Sequence, residues 1–544
     1  MPKTVTAPSL PTPAGAGDLL AELAGRGVRL WNDSGKLRFR APSGALLAEH
    51  RQLLAHHKAE VLALLAANGG DFEPTYPVTH SQRALWFEQR LQPDSHAYNI
   101  HFSLRILDDL DVGALRRALA TLIERHSALR SRYPERGGDP VLQLPAHMDL
   151  PFEMIDAAGW SHAELEESLL AAARRPFELD RGPVMRILLF RSSARRHHLL
   201  LTVHHIAIDF SSYNVLLEEL AELYQAALAG RPPQLAPVAC NYADFVLWQN
   251  QLLDSPDGEA QGRYWHHQLG NRPASVALAT DRPRGSKPRG ASVAFTPSPR
   301  LTDAIDELAT ARGTTRYAVL LAGYQGLLRH LTGQEDFIIG SPMGGRSRPE
   351  LQRLVGYLSN MVLLRARPSA RATFGQLLDQ VHDSSVAAIE NQDYPLPLLC
   401  EQMRRLERSA GAPPRVNTVF AYWSSWVDRQ GLAALQLGSS EVALEFAGMK
   451  AELVPLPMQE GQFDLTVVLY EYGGILVGSL LYRADLFERR TIEQLAADYE
   501  SYLARAVEDP GRRLDEIAAV LRSRAADAHD GALTVDAAED FAFD

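Results

Sequence analysis

The sequence predicts an α/β protein in which a small α-β-β-α unit precedes two α/β lobes of similar size. Three observations carry this. The chain has 544 residues, enough for about three to four compact units. Hydrophobic residues make up 46% and charged residues 22%, the balance of a globular chain. Helix and strand signals alternate along it, and a second half that begins near Tyr264 repeats the alternation.

Residues 1–14 are rich in Pro, Thr and Ala without periodicity and are expected to be disordered. The first unit is placed at 15–68. Asp18 is the N-cap of a short amphipathic helix that Gly25 or Gly27 stops. Segments 28–31 and 36–40 alternate apolar and basic residues around the turn Asn32-Asp33-Ser34-Gly35, which predicts a β-hairpin. A longer helix follows over 45–66, ending at Asn68-Gly69-Gly70. The hairpin carries Lys36, Arg38 and Arg40, and the helix Arg51 and Lys58. This is either a solvated basic face or a cleft for an acidic peptide, because an exposed hairpin edge can add a strand while cations select acidic partners.

The first lobe is placed at 76–255. It has a helix at 114–126 behind the cap Asp111, a strand at 141–144, strands at 185–190 and 197–205 around a charged turn, and a helix at 215–229. The second, 256–520, repeats the alternation: helices at 301–311, 317–330, 374–391 and 491–508, strands at 337–340, 362–365, 416–422, 465–470 and 476–482. Residues 521–544 form an acidic tail, expected to be disordered. From 525 onward it has six acidic residues and no Lys or Arg, interleaved with Leu533, Val535, Phe541 and Phe543.

Composition excludes several function classes. A net charge of -11 ill suits nucleic acid. The two cysteines, Cys240 and Cys400, are too few for a disulfide framework or a thiolate-rich metal site and fit a reducing compartment. The N-terminus lacks the apolar stretch of a signal peptide, and no apolar run reaches the roughly 18 residues of a membrane span. A cytoplasmic location is expected, without membrane or nucleic-acid partners.

The strongest chemical signal is His204-His205-Ile206-Ala207-Ile208-Asp209, directly after the apolar strand. A neutral imidazole there can accept a proton from an attacking amine or hydroxyl. Neighbouring strand residues face opposite ways, so both histidines cannot line one cavity if the strand persists. A packed core histidine and a metal site with His197 and His198 are the alternatives, although this spacing specifies no convergent ligand set.

The flanking segments, in order, resemble the motifs of nonribosomal peptide synthetase condensation domains. Ser81-Gln82-Arg83-Ala84-Leu85-Trp86 looks like the first and Arg125-His126-Ser127-Ala128-Leu129-Arg130 the second. His204 to Asp209 looks like the third. Stretches 241–249, 355–360 and 391–395 resemble the later ones. The resemblance implies two chloramphenicol-acetyltransferase-like lobes forming a V around a central tunnel. It also implies that His205 is catalytic, with His204, Asp209 and Arg346 in support and Arg346 paired with Asp209. The family motif continues with Gly, whereas this chain has Phe210, which allows neither close backbone approach nor unusual dihedrals. Phe210 is therefore expected either to reshape the tunnel for a non-standard donor or nucleophile or to be a packing variant.

The first unit resembles TubC-type β-hairpin docking domains, whose family role is to grip the acidic C-terminal tail of an upstream carrier-bearing synthase. Together the two likenesses imply an acyltransferase. It would take an acyl chain from a carrier protein's phosphopantetheine thioester to an amine or hydroxyl, with no bound cofactor and no metal. The arrangement is similar to free-standing condensation enzymes that release chains from hybrid polyketide synthases, as in enacyloxin biosynthesis. The rival expectation is a non-catalytic docking or recruitment platform. A further one is that the acidic tail folds back on the basic hairpin.

Overall fold

The computed structural model describes residues 15–25, 28–33, 35–40, 46–67, 75–145, 147–270, 273–285, 289–406, 416–424, 442–454, 456, 462–472, 475–519 and 521. The segments expected to be disordered, 1–14 and all but Leu521 of the tail, lie outside them.

The N-terminal unit has the expected order. Helix Ala16–Gly25 precedes strands Arg29–Asp33 and Lys36–Arg40, which pair antiparallel with Asp33 opposite Lys36. That register leaves a two-residue turn, and Gly35 holds φ +83°, where a side chain would be strained. The single long helix expected over 45–66 is instead two, Ala48–His56 and Lys58–Ala67, broken at His57. The break lets Leu54, Val61 and Leu65 face Leu19, Leu23 and Leu30 in one small core.

Two six-stranded sheets follow, each coated by helices. The first runs in spatial order Val442–Phe446, Met449–Leu453, Asn99–Ile106, Arg196–His204, Met185–Ser193, Phe152–Asp156. The second runs Gly290–Phe295, Ile475–Arg483, Leu465–Tyr472, Thr418–Trp423, Phe337–Met343, Asn360–Ala366. Helices Val112–Arg125 and Phe210–Ala229 cover the first, Arg316–Thr332 and Arg489–Glu508 the second. Residues that repeat every second position on strands and every third or fourth on helices fill two separate cores. The two-lobe α/β architecture is thus present. No helix among the described residues is long and apolar enough to cross a membrane.

The two halves do not stay apart in space. Strands Val442–Phe446 and Met449–Leu453 come from the second half, yet they extend the first sheet, with Leu453 opposite Leu104 and Ala451 opposite Ile106. Arg105 Nη1 donates to Glu452 Oε2 at 2.7 Å across this junction. Loop residues Leu351, Leu354, Val355 and Leu358 also pack into the first core. A boundary at 256 therefore divides the sequence but not the packing: the first sheet's edge at Asn99–Ile106 needs a neighbour, and the chain returns to supply one. Helix His80–Leu91, capped by Thr79, buries Gln82 and Gln89 beside Leu85 and Trp86, which dilutes its apolar signal, whereas His162–Arg174, capped by Ser161, buries Leu165, Leu169 and Ala173 in a regular stripe.

Leu453 is 1% exposed on the returning strand. Leu453→Ala should destabilise the first lobe by about 2–5 kcal/mol. Hydrogen exchange of the Phe102 and Leu104 amides should speed up accordingly, while strand Leu465–Tyr472 keeps its protection.

Candidate active site

Strand Arg196–His204 is paired on both sides, so it is buried along nearly its whole length and delivers His204 into the core. The His204 side chain is fully buried, edge-on to Phe177 at 6.1 Å between ring centroids. Its Nδ1 accepts from the Ile206 amide at 3.1 Å, which leaves the proton on Nε2, facing Gln89 Oε1 at 3.4 Å. Burial, helped by His205, pushes its pKa down to about 3.

At residue 205 the strand gives way to a turn. The His205 amide donates to the Tyr98 carbonyl at 2.8 Å, and the Ala207 amide to the His204 carbonyl at 3.0 Å. His205 is consequently half-buried, its ring centroid 4.7 Å from that of Tyr357. Its Nδ1 lies 2.7 Å from the Ile208 carbonyl oxygen, which can only accept. The neutral ring must then carry its proton on Nδ1 and its lone pair on Nε2. Burial lowers the His205 pKa, offset in part by the Ile208 hydrogen bond and the Asp209 charge. The two adjacent histidines thus hold opposite tautomers, one closed into the core and one with a basic nitrogen left over.

The turn is held from behind by residues whose role no local pattern announces. Gln82 Nε2 and the Tyr133 hydroxyl both donate to the Ile206 carbonyl, at 3.0 and 3.1 Å. Ser131 Oγ and Gln82 Nε2 in turn donate to the Tyr133 hydroxyl. The segments around Gln82 and Arg130 are therefore scaffolding for 204–209. Only the alignment of ordered motifs hints at this.

Asp209 caps helix Phe210–Ala229 and is 1% exposed. Its Oδ1 accepts from the Ser212 amide at 2.9 Å, Ser212 Oγ at 2.8 Å and Arg346 Nη2 at 2.8 Å. Its Oδ2 accepts from Arg346 Nη1 at 2.8 Å and from the Leu358 and Ser359 amides at 3.1 Å each. Burial alone would raise this carboxyl, but the Arg346 charge and the hydrogen bonds outweigh it and hold it below the ordinary value. The structure brings Asp209 and Arg346 together as a bidentate pair. Gly356 completes the contact, since a Cβ there would meet Tyr242 at 2.1 Å.

Phe210 sits in the first turn of its helix, so the side chain strains no backbone. Its ring is tilted 35° against Trp423 of the second sheet, centroids 4.4 Å apart, with Tyr470 and Val477 beside them. Two surface cavities, one around Phe487 and Leu495 and one around Phe152 and Arg186, include none of these residues. His198 accepts from Arg105 Nε at 3.1 Å within the sheet, and no group of three or more His, Cys, Asp or Glu converges as a metal site among the described residues. In the N-terminal unit Lys36 and Arg38 are exposed on the hairpin, and Arg51 and Lys58 are exposed on its two later helices. The side chain of Arg40 and the tail from 522 lie outside the described residues.

The histidine environment dictates a pH dependence. In the unfolded chain His204 binds a proton below about pH 6.5, whereas in the folded chain it does so only near pH 3. Stability therefore rises with pH through this window and is lost as the pH falls from about 6.5 toward 3. His204 should contribute a loss of about 1 kcal/mol per pH unit below pH 6 in denaturant titrations, with buried His101, pushed down to about 4, adding to it, and His204→Gln should make the slope shallower.

Comparison with known proteins identifies the family. A condensation-domain family model matches residues 72–527 and a TubC N-terminal docking-domain model matches 17–66. Tyrocidine synthase 3 of Brevibacillus parabrevis is 31% identical over 484 residues, 89% of this chain and 7% of that protein. Malpibaldin synthetase of Mortierella alpina is 32% identical over 431 residues, 78% of this chain and 8% of that one. The chain thus spans less than a tenth of these relatives' length. Among solved structures, the X-domain from teicoplanin biosynthesis superposes with a TM-score of 0.69 at 25% identity, covering 80% of this chain and 96% of that one. The first condensation domain of the calcium-dependent antibiotic synthetase gives 0.65 at 22%, covering 81% and 98%. With a lobe-bridging Asp209–Arg346 pair behind an imidazole whose second nitrogen stays basic, and a family match across most of its length, the chain belongs to the condensation-domain family of nonribosomal peptide synthetases, with a TubC-type docking domain in front.

Proposed function

We propose that this chain moves an acyl group from a carrier protein's phosphopantetheine thioester onto a hydroxyl or amine, releasing the chain as an ester or amide in polyketide or nonribosomal peptide biosynthesis. The observation that supports it most is the His205 tautomer, with Nδ1–H engaged by the Ile208 carbonyl and the Nε2 lone pair without a protein partner among the described residues. In the proposed step the nucleophile's O–H or N–H lies on Nε2 while its lone pair attacks the thioester carbonyl. The C–S bond breaks, and the proton taken by Nε2 passes to the departing thiolate. The thioester supplies the driving force, so no bound cofactor and no metal is invoked. His204, Asp209 and Arg346 act in this reading by fixing the turn and the helix start that aim His205.

The partner side of the proposal is an upstream synthase whose acidic C-terminal tail adds to the hairpin edge. Lys36 and Arg38 lie exposed on one strand two residues apart, hence on one face, while Phe39, 49% exposed, lies on the other. Arg51 and Lys58 add positive charge nearby in sequence, and Arg40 extends the same strand register. A recruitment platform without catalysis is the second reading. The Phe210–Trp423 contact, which joins the lobes beside the motif, favours it.

His205→Ala should lower transfer by about 100- to 10,000-fold with folding intact. Intact-protein mass spectrometry of an acyl-loaded carrier, incubated with amines and hydroxy acids, reads this directly. Loss of acyl mass that is independent of His205 overturns the mechanism, and no loss despite proven carrier binding favours the platform. The double variant Lys36→Glu, Arg38→Glu should weaken binding of an acidic, Leu- and Phe-containing peptide at least about tenfold in calorimetry. Binding by the unaltered protein should weaken as salt is raised.

A further inference from the structure

The hairpin of the N-terminal unit is a two-stranded sheet, so among the described residues strand Lys36–Arg40 is paired on one side only, with Arg29–Asp33. A two-residue turn that sets Asp33 opposite Lys36 makes these two a hydrogen-bonded pair, with Trp31 and Arg38 the next such pair along the ladder. Leu37 and Phe39 fall between, and they direct their backbone N–H and C=O groups to the open edge. An edge of this kind is a template for another strand.

The side chains of the same strand sort by face. Lys36 and Arg38 are exposed on one, while on the other Leu37 packs against the small core and Phe39 is 49% exposed. A strand added at this edge matches it when acidic or small residues stand beside the two cations and apolar ones beside Leu37 and Phe39. Asp540-Phe541-Ala542-Phe543-Asp544 has that alternation. In an extended chain Asp540, Ala542 and Asp544 share one face and Phe541 and Phe543 the other. The pattern reads the same in both directions, so parallel and antiparallel addition satisfy it alike.

The connecting chain is long enough for both segments to meet within one molecule. Leu521, the last described residue, is buried in the second core. The 18 residues from 522 to 539 span about 60 Å when fully extended. A folded chain of this length has a radius of gyration of about 24 Å. A flexible tether holds its far end at an effective concentration on the order of millimolar, which favours the chain's own segment over a second copy at ordinary protein concentrations.

We infer that residues 540–544 of this chain add as a third strand to the Leu37–Phe39 edge of its own hairpin, and so occupy the surface on which the proposed upstream tail docks. Backbone ladder bonds supply the attachment, and the two matched faces supply the register. A partner tail then gains the hairpin only by displacing the tethered segment, which makes docking selective for partners that bind more tightly than the chain binds itself. The regulatory meaning rests on the proposed partner, whereas the contact is measured without it.

The test is hydrogen exchange of the full chain, resolved to single amides by electron-transfer fragmentation. Asp540→Lys with Asp544→Lys should speed exchange at the Leu37 and Phe39 amides about tenfold. The Arg38 amide, already bonded to the first strand, should keep its rate. Adding Lys36→Glu and Arg38→Glu to that variant reverses both sides of the pairing and should restore slow exchange. Equal Leu37 and Phe39 rates in the unaltered and Asp540→Lys, Asp544→Lys chains overturn the contact. Equal acceleration at Arg38 overturns it as well, because the whole hairpin has then loosened. Protection that grows as the protein is concentrated from about 1 to 100 µM overturns the intramolecular form, since a second copy then supplies the strand. In calorimetry a synthetic peptide of residues 533–544 should bind the Asp540→Lys, Asp544→Lys chain at least about tenfold more tightly than the unaltered one, and equal affinities overturn the self-occupation. Failure of other acidic peptides to bind a variant that takes this one counts against the proposed upstream partner alone.

Discussion

A buried carboxylate governs this molecule's arrangement. Asp209 is at once the end of the histidine turn, the cap of helix Phe210–Ala229 and the anchor for Arg346 and the amides of Leu358 and Ser359. Burying such a charge is unfavourable unless it is paired and its lone pairs are filled, and here both oxygens are. The consequence is more positional than energetic. A bidentate guanidinium and two backbone amides accept only one orientation of the carboxylate, and that orientation fixes where the chain stands four residues earlier, at His205.

The two histidines show how environment assigns roles to identical side chains. His204 is the last residue of a strand paired on both edges, so it inherits the core and keeps its basic nitrogen on a backbone amide. His205 is the first residue of the turn and inherits a half-buried position instead, with its Nδ1 committed to Ile208. Burial disfavours the imidazolium at both, and it leaves a usable lone pair only at the second. Gln82 and Tyr133, by meeting on the Ile206 carbonyl, stop the turn from relaxing back into the strand.

Much of this is legible from residue order. Apolar periodicity places most helices and strands of the second lobe to within a few residues, because those elements have one strongly apolar face. Strand Met449–Leu453 escapes it because its partner on one side, Asn99–Ile106, is over three hundred residues away, and no local signal reports a distant sheet edge; Val442–Phe446 joins the sheet only through Met449–Leu453. The break at His57 escapes for the opposite reason: the apolar stripe continues through it, and only packing against Leu19 and Leu30 shows that two helices are needed. Phe210 stands out as a departure from a motif, but its neighbour Trp423 lies in another lobe, and nothing in the spacing joins them.

Residue order alone determines the α/β class, the hairpin unit with its basic strand, and the His204-His205 pair with Asp209 as a chemical signal, each from short-range pattern; the choice of His205 and the pairing of Arg346 with Asp209 come from the resemblance of several ordered motifs to a family. Which histidine turns outward, and on which nitrogen its lone pair lies, emerges only from packing in three dimensions. So do the completion of the first sheet by the second half of the chain and the aromatic contact between Phe210 and Trp423. Those features depend on groups brought together across hundreds of residues, where hydrogen-bond satisfaction and burial, rather than local propensity, select the arrangement.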